Sequence, residues 1–73
     1  MKTLVLTSKD FDQNGKYIGA EKSLETYEGF DGNVEIEENL GWKSFERIVA
    51  KGYILANAGS GIKAGEGIKA GWV

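Results

Sequence analysis

The fold is decided by residues 48–73, which read IVAKGYILANAGSGIKAGEGIKAGWV. Within this stretch the unit Gly-Ile-Lys-Ala-Gly occurs twice, at Gly61–Gly65 and at Gly67–Gly71, offset by six residues. From Val34 onward, apolar or small residues at every second position alternate with polar ones. Successive side chains of a β-strand point to opposite faces, so an alternation of period two predicts strands. Because natural strands are short, we expect the glycines to mark corners between several strands.

The even positions from Val34 onward form the predicted inward face. Three carboxylates share this phase, at Glu38, Glu46 and Glu66. A buried carboxylate is costly unless it is paired, so we expect these three residues at corners where the alternation breaks. Three aromatic residues of the stretch are expected in the core or covering its ends, namely Trp42, Phe45 and Tyr53.

The two repeat units carry an isoleucine, an alanine and a glycine at matching places, which are Ile62, Ala64, Gly65 and Ile68, Ala70, Gly71. Over residues 48–73 the chain resembles the parallel β-solenoid repeat proteins, both the hexapeptide-repeat left-handed β-helices and the bactofilin-type polymer-forming solenoids. The resemblance implies that roughly three hexapeptides make one turn, and that residues 34–73 supply about two turns. We therefore predict an all-β fold that contains a short β-solenoid with six-residue repeats.

Residues 1–20 are predicted to form a β-hairpin that caps the solenoid. Met1–Ser8 is rich in leucine and β-branched residues, which favours a strand. Asn14-Gly15 suits a type I′ turn, because both residues accept a positive φ. Lys16–Ala20 would then return as the second strand of the hairpin.

Length and composition exclude several classes of protein. The 73 residues suffice for one small domain, in which we expect the hairpin, an acidic connector over residues 21–33 and the repeats over residues 34–73. The chain has neither cysteine nor histidine, which removes disulfides, thiolate metal sites and the commonest general base. Hexapeptide-repeat acyltransferases need a histidine, so we expect neither an enzyme nor a cofactor. Without a signal peptide or a run long enough to span a membrane, a cytoplasmic protein is expected.

Residues 10–21 match the calcium-loop pattern of EF-hands, D-x-[DN]-x-[DN]-G-x5-E, at every specified position. The candidate calcium ligands are Asp10, Asp12, Asn14 and Glu21. An EF-hand also needs a helix on each side, whereas Leu4–Thr7 before this loop is a predicted strand. Asp-x-Asn-Gly is equally an ordinary hairpin turn. We therefore predict a turn without a metal and keep a calcium-binding module as a lesser alternative.

The net charge of −2 conceals an uneven distribution of charges. The acidic side chains expected to share one surface are Glu21, Glu25, Glu28, Glu35, Glu37 and Glu38. One interpretation is a solvated face that keeps a small domain soluble. The alternative is a phage-type inhibitor, whose negative face imitates nucleic-acid phosphates and occupies a basic groove of a nucleic-acid-handling enzyme. Direct binding of the chain to nucleic acid or to a membrane is not expected.

The repeat is still intact at Gly71-Trp72-Val73, and no polar cap follows it in this sequence. A short solenoid exposes strand edges and apolar side chains at an uncovered end. Either another chain covers this end, or the chain is the head of a longer repeat array. We expect a non-enzymatic structural module that forms a homo-oligomer through its C-terminal end. The predicted contact residues are Ile62, Ile68, Trp72 and Val73, since tryptophan in particular is enriched at interface hot spots.

Overall fold

The computed structural model describes residues 1–71, in which seven short strands and two 3₁₀ turns are found. The strands are β1 (Thr3–Leu6), β2 (Asn33–Ile36), β3 (Gly41–Phe45), β4 (Ile48–Ala50), β5 (Ile54–Ala56), β6 (Ser60–Ala64) and β7 (Ile68–Ala70). The two 3₁₀ turns cover Ser8–Asp10 and Lys22–Glu25. The predicted all-β class is confirmed.

The strands pair in parallel and form three short sheets. The first sheet has the order β1-β2-β5, the second contains β3 and β6, and the third contains β4 and β7. The chain visits these sheets in the same order twice, first through β2, β3 and β4, then through β5, β6 and β7. We call residues 33–52 the second pass and residues 53–71 the third pass. Residues 1–32, the first pass, contribute β1 to the first sheet and reach the others through isolated bridges at Lys16 and Phe30.

Residues paired between the second and third passes are 19 or 20 positions apart, as in Trp42↔Gly61 and Ile48↔Ile68. The six-residue offset holds only between β6 and β7, where Ile62 and Ile68 occupy matching places. The step from β5 to β6 is longer because a turn at residues 57–59 lies between them. The offset between paired residues is therefore one or two residues longer than the 18 residues that three hexapeptides would give.

The predicted N-terminal hairpin over residues 1–20 is also wrong. β1 pairs in parallel with β2, from Thr3↔Asn33 to Leu6↔Ile36. This register places the inward side chains of both strands in one core, where Leu6 and Ile36 are almost fully buried. Lys16–Ala20 offers less apolar surface, because three of its five residues are exposed. Burial of apolar surface thus favours the distant partner over the local one.

Within the region of the predicted hairpin, a smaller turn is present at Asp12–Gly15, and an antiparallel bridge between Phe11 and Tyr17 closes it. The Gly15 N–H donates to the Asp12 carbonyl at 2.9 Å, and Gly15 has a φ of 80°. Asn14 is not among the residues with positive φ, so the predicted type I′ turn is not formed. The Asp12 N–H donates to the Lys16 carbonyl, which makes this a three-residue loop with glycine in the left-handed position.

The core fills the space between the three sheets. Its most deeply buried side chains are Leu6, Leu24, Val34, Ile36 and Ile48. Beside them an aromatic cluster joins the first pass to the second. Tyr17 stacks on Phe45 with ring centroids 5.2 Å apart, and Phe11 meets both rings edge-on.

The inward phase holds for even positions in β2 and β4 but changes in β3. There Phe45 is buried, as expected, while Trp42 is 72% exposed, so the prediction of a core position for Trp42 is wrong. Tyr53 is half-buried. The phase changes at the corner of residues 37–40, where Asn39 has a φ of 61°. The three carboxylates of the even phase are exposed at corners, as predicted, at Glu38, Glu46 and Glu66.

Burial of Tyr17 predicts a loss of stability in alkali. Burial raises the pKa of Tyr17 from 10.0 to about 12, and its hydroxyl donates to the Glu21 carbonyl at 3.1 Å. The unfolded chain therefore releases this proton first, so the free energy of unfolding should fall as pH rises from 10 to about 12. Urea unfolding of Tyr17→Phe should show a weaker fall, and the exposed Tyr27→Phe should behave as wild type. An identical pH dependence in wild type and Tyr17→Phe would contradict this assignment.

Candidate functional site at the free strand edges

The third pass has unpaired strand edges. Within residues 1–71, β5 pairs only with β2, β6 only with β3, and β7 only with β4. A free edge presents a row of backbone N–H and C=O groups that another strand can pair with. All three edges belong to the same pass and therefore lie at the same end of the molecule.

The core beneath these edges is open. Ile48 and Ile68 are register partners with the same inward phase, yet Ile48 is fully buried and Ile68 is 55% exposed. The first sheet shows the same change, from the buried Val34 to the half-buried Ile54. In the second sheet Phe45 is buried and its partner Ala64 is half-buried. The second pass is thus covered by the third, whereas the third is uncovered within the described residues.

Two of the four predicted contact residues lie at this end. Ile62 on β6 is half-buried and packs against the core, and Ile68 on β7 is exposed. Trp72 and Val73 lie outside the described residues. The structure thus brings Ile62 and Ile68 to the end where the sequence placed the interface. We call the surface formed by β5, β6 and β7 at this end the open end.

A charged and aromatic corner joins all three passes beside the open end. The guanidinium of Arg47 forms an ion pair with Glu66 at 2.7 Å and lies 4.3 Å from the ring centroid of Tyr27. Arg47 also donates to the Glu25 carbonyl at 2.9 Å. Desolvation is the largest single influence on Arg47 and lowers its pKa, but the hydrogen bond to Glu66 and the nearby charges of Glu66 and Glu46 together raise the pKa of the guanidinium above its ordinary value.

Sequence reasoning missed this corner. The spacings from Tyr27 to Arg47 and from Arg47 to Glu66 are close to the offset between paired residues, which is a signal that the sequence does contain. This signal identifies the corner only when residues are compared at the register offset of 19 or 20, and not at the six-residue repeat.

The predicted acidic face is divided. Glu35 lies on β2, where it accepts a hydrogen bond from the Tyr53 hydroxyl at 2.5 Å, and Glu37 and Glu38 lie at the next corner. Glu25 lies at a different corner, where its carboxylate accepts the Glu46 N–H at 2.8 Å. Strand β3 of the second sheet lies between the corner of Glu37 and Glu38 and the corner at Glu46, which Glu25 contacts.

The remaining acidic residues, Glu21 and Glu28, flank Glu25 in the connector, and Arg47 reaches into this group. The six glutamates therefore form two groups rather than one continuous negative surface. The inhibitor alternative stays a prediction, and the arrangement gives it less support than a single face would.

The EF-hand arrangement is not formed. Asp10 accepts the Thr7 N–H at 2.9 Å in the cap of a 3₁₀ turn, and Asp12 accepts the N–H groups of Asn14 and Lys16. Glu21 accepts the Ser23 hydroxyl at 2.7 Å. Among residues 1–71, no three Asp, Glu, His or Cys side chains are grouped so that they could hold a metal ion. The candidate carboxylates close turns instead, and β1 stands where an EF-hand has its first helix.

Comparison of the chain with protein-family models, with curated proteins and with solved structures finds no match. In the described part of the chain, no helix is long and apolar enough to cross a membrane.

Proposed function

We propose that the chain is a short β-solenoid module without enzymatic activity, which forms a homo-oligomer through the open end. Two features support the solenoid: the repeated order of the three sheets, and an offset of 19 or 20 residues between paired residues in all three sheets. The observation that carries the self-association is the loss of cover between the register partners Ile48 and Ile68. A second copy over the open end supplies that cover.

The contact is expected to be reversible. Burying a large aliphatic side chain such as Ile68 contributes about 1.5–3 kcal/mol, and each hydrogen bond along the strand edges adds about 0.5–1.5 kcal/mol. Lost translational and rotational freedom opposes association by about 4–15 kcal/mol. Three edge strands of three to five residues each thus leave a modest surplus. Monomer and oligomer should exchange on dilution.

Charges favour a two-fold contact over a head-to-tail stack. Ser44 pairs with Lys16 on one side and with Lys63 on the other, so these three residues occupy matching positions on adjacent strands. In a head-to-tail stack, the third pass of one copy lies on the first pass of the next, which would set Lys63 of one copy beside Lys16 of the other. Like charges in opposed positions are destabilising. A two-fold axis through Ile62 instead pairs β6 with its own copy in antiparallel fashion and sets Lys63 opposite Gly61. Such an isologous contact closes as a dimer.

Ile68→Asp should strongly weaken the dimer, because it places a charge in the apolar part of the contact. We expect its dissociation constant to rise at least about tenfold over wild type in sedimentation equilibrium. Leu55→Asp is the matched control, since Leu55 is 45% exposed on the neighbouring strand β5 but points outward from the sheet. It should dimerise as wild type does. Equal association of wild type and Ile68→Asp would refute the proposal, and so would equal loss in both variants.

A further inference from the structure

An exposed tryptophan lies on the outward face of the second sheet. Trp42 is paired with Gly61, and a Cβ built on Gly61 would lie 2.7 Å from Cε3 and Cζ3 of the indole. The absent side chain of Gly61 therefore lets the ring lie across the neighbouring strand. Around the ring is a shallow depression formed by Gly41, Gly59 and Ser60, and the indole itself remains 72% exposed. The result is an aromatic platform open to solvent.

A row of hydroxyl and amino groups runs beside this platform. Lys16, Ser44 and Lys63 are register partners on three successive strand segments, and strand alternation places them on the same face as Trp42. Adjacent strands lie about 4.8 Å apart, which puts the backbones of Lys16 and Lys63 roughly 10 Å from each other. Two lysine side chains can span this gap and meet at one anion above Ser44.

The two lysines are available for such an anion. Both are exposed, and the ion pair found in the described part of the chain, Arg47–Glu66, involves neither of them. The outward positions of β3 and β6 carry no acidic side chain. Asp12 is the nearest carboxylate along the loop, and its oxygen already accepts the backbone N–H groups of Asn14 and Lys16.

We propose that this face binds a nucleotide, with the base stacked on Trp42 and the phosphate held between Lys16 and Lys63 above Ser44. Stacking of a base on an aromatic side chain beside positive charge is a general mode of nucleotide-unit recognition. The ring and the lysine row are two residues apart along the strand, which is about 7 Å. In a nucleotide, the ribose separates the stacked base from the phosphate by a distance that spans this gap. A sugar acid fits less well, because its carboxylate is attached directly to the ring that would stack on Trp42. Because the chain is acidic overall, a free mononucleotide fits better than a nucleic-acid strand.

The test is an NMR titration with AMP in a Trp72→Phe background, in which Trp42 is the sole tryptophan. We expect the Trp42 indole and the Ser44 and Lys63 amides to shift together, with a Kd on the order of 1 mM. Lys63→Glu should weaken binding roughly tenfold by removing a charge-assisted contact. Gly61→Ala should weaken it without any change of charge, because the new methyl group displaces the indole ring. Lys51→Glu, at an exposed corner between β4 and β5, is the charge-matched control and should bind as wild type.

Three further titrations decide the ligand. Ribose 5-phosphate lacks the base and should bind more weakly than AMP; equal binding would overturn the stacking role of Trp42. If a single-stranded oligoadenylate binds each site more tightly than AMP does, the ligand is a nucleic-acid strand and not a free mononucleotide. No shift of the Trp42 indole with either AMP or the oligoadenylate would overturn the proposal. Repeating the AMP titration with Ile68→Asp separates this site from the dimer, since that variant should still bind AMP.

Discussion

Ile48→Ala is expected to lower the free energy of unfolding by about 2–5 kcal/mol, the usual range for truncating a fully buried isoleucine. Ile48 is fully buried between the third sheet and the rest of the core. A domain of this length has a total stability of roughly 4–10 kcal/mol, so the variant should lose a large fraction of it. Urea unfolding followed by tryptophan fluorescence measures the change.

Ile68→Ala is the matched control, because Ile68 is the register partner of Ile48 one pass further along. More than half of its side chain is exposed, so in the dilute monomer its truncation should cost less than about 1 kcal/mol. At concentrations where the dimer forms, the same change should weaken association. Equal destabilisation of both monomers would show that Ile68 is covered in solution, and it would contradict the open end.

Gly29→Ala is the second substitution with a large expected effect. Gly29 has a φ of 82°, and a Cβ there would lie 2.5 Å from Val49 Cγ1 and 2.8 Å from the Val49 carbonyl oxygen. The left-handed conformation costs alanine about 1–2 kcal/mol, and relieving the clash with β4 should add about 1–3 kcal/mol. Thermal or urea unfolding should therefore show a loss of about 2–5 kcal/mol.

Gly41→Ala separates the two contributions. Gly41 has a similar φ of 73°, but a Cβ built there meets nothing within 4 Å. Its substitution should therefore cost only the conformational part, about 1–2 kcal/mol. If the two alanine variants were equally stable, the close approach of Gly29 to β4 would be wrong.

The sequence predicts the parts of the fold that depend on local alternation. The period of two from Val34 indicates the strands and the inward side of β2 and β4, and the cost of burying a carboxylate places Glu38, Glu46 and Glu66 at corners. The partner of β1 carries no such local signal. Thr3 pairs with Asn33, thirty positions away, whereas the dipeptide Asn14-Gly15 suggests a hairpin close by. Non-local burial decided the pairing.

The position of Trp42 shows why the site was only partly predictable. One change of phase at the corner of residues 37–40 turns Trp42 outward and Phe45 inward, and a continuous alternation gives no hint of it. Ile62 and Ile68 lie on the uncovered third pass because their repeat units form β6 and β7 themselves, and their role in a contact stays a prediction. Predicting the corner of Tyr27, Arg47 and Glu66 required the register offset of 19 or 20 residues between paired strands. That offset depends on the turn at residues 57–59 and not on the six-residue unit.

The central claim is that the open end is covered by a second copy of the chain. Amide hydrogen exchange of the wild-type protein, measured well below and well above the concentration at which it dimerises, tests this claim most directly. Amides of β5, β6 and β7 should gain protection at the high concentration, while those of β1 and β2 keep the same exchange rates. Unchanged exchange across the third pass, or added protection at the free edge of β1 instead, would contradict it.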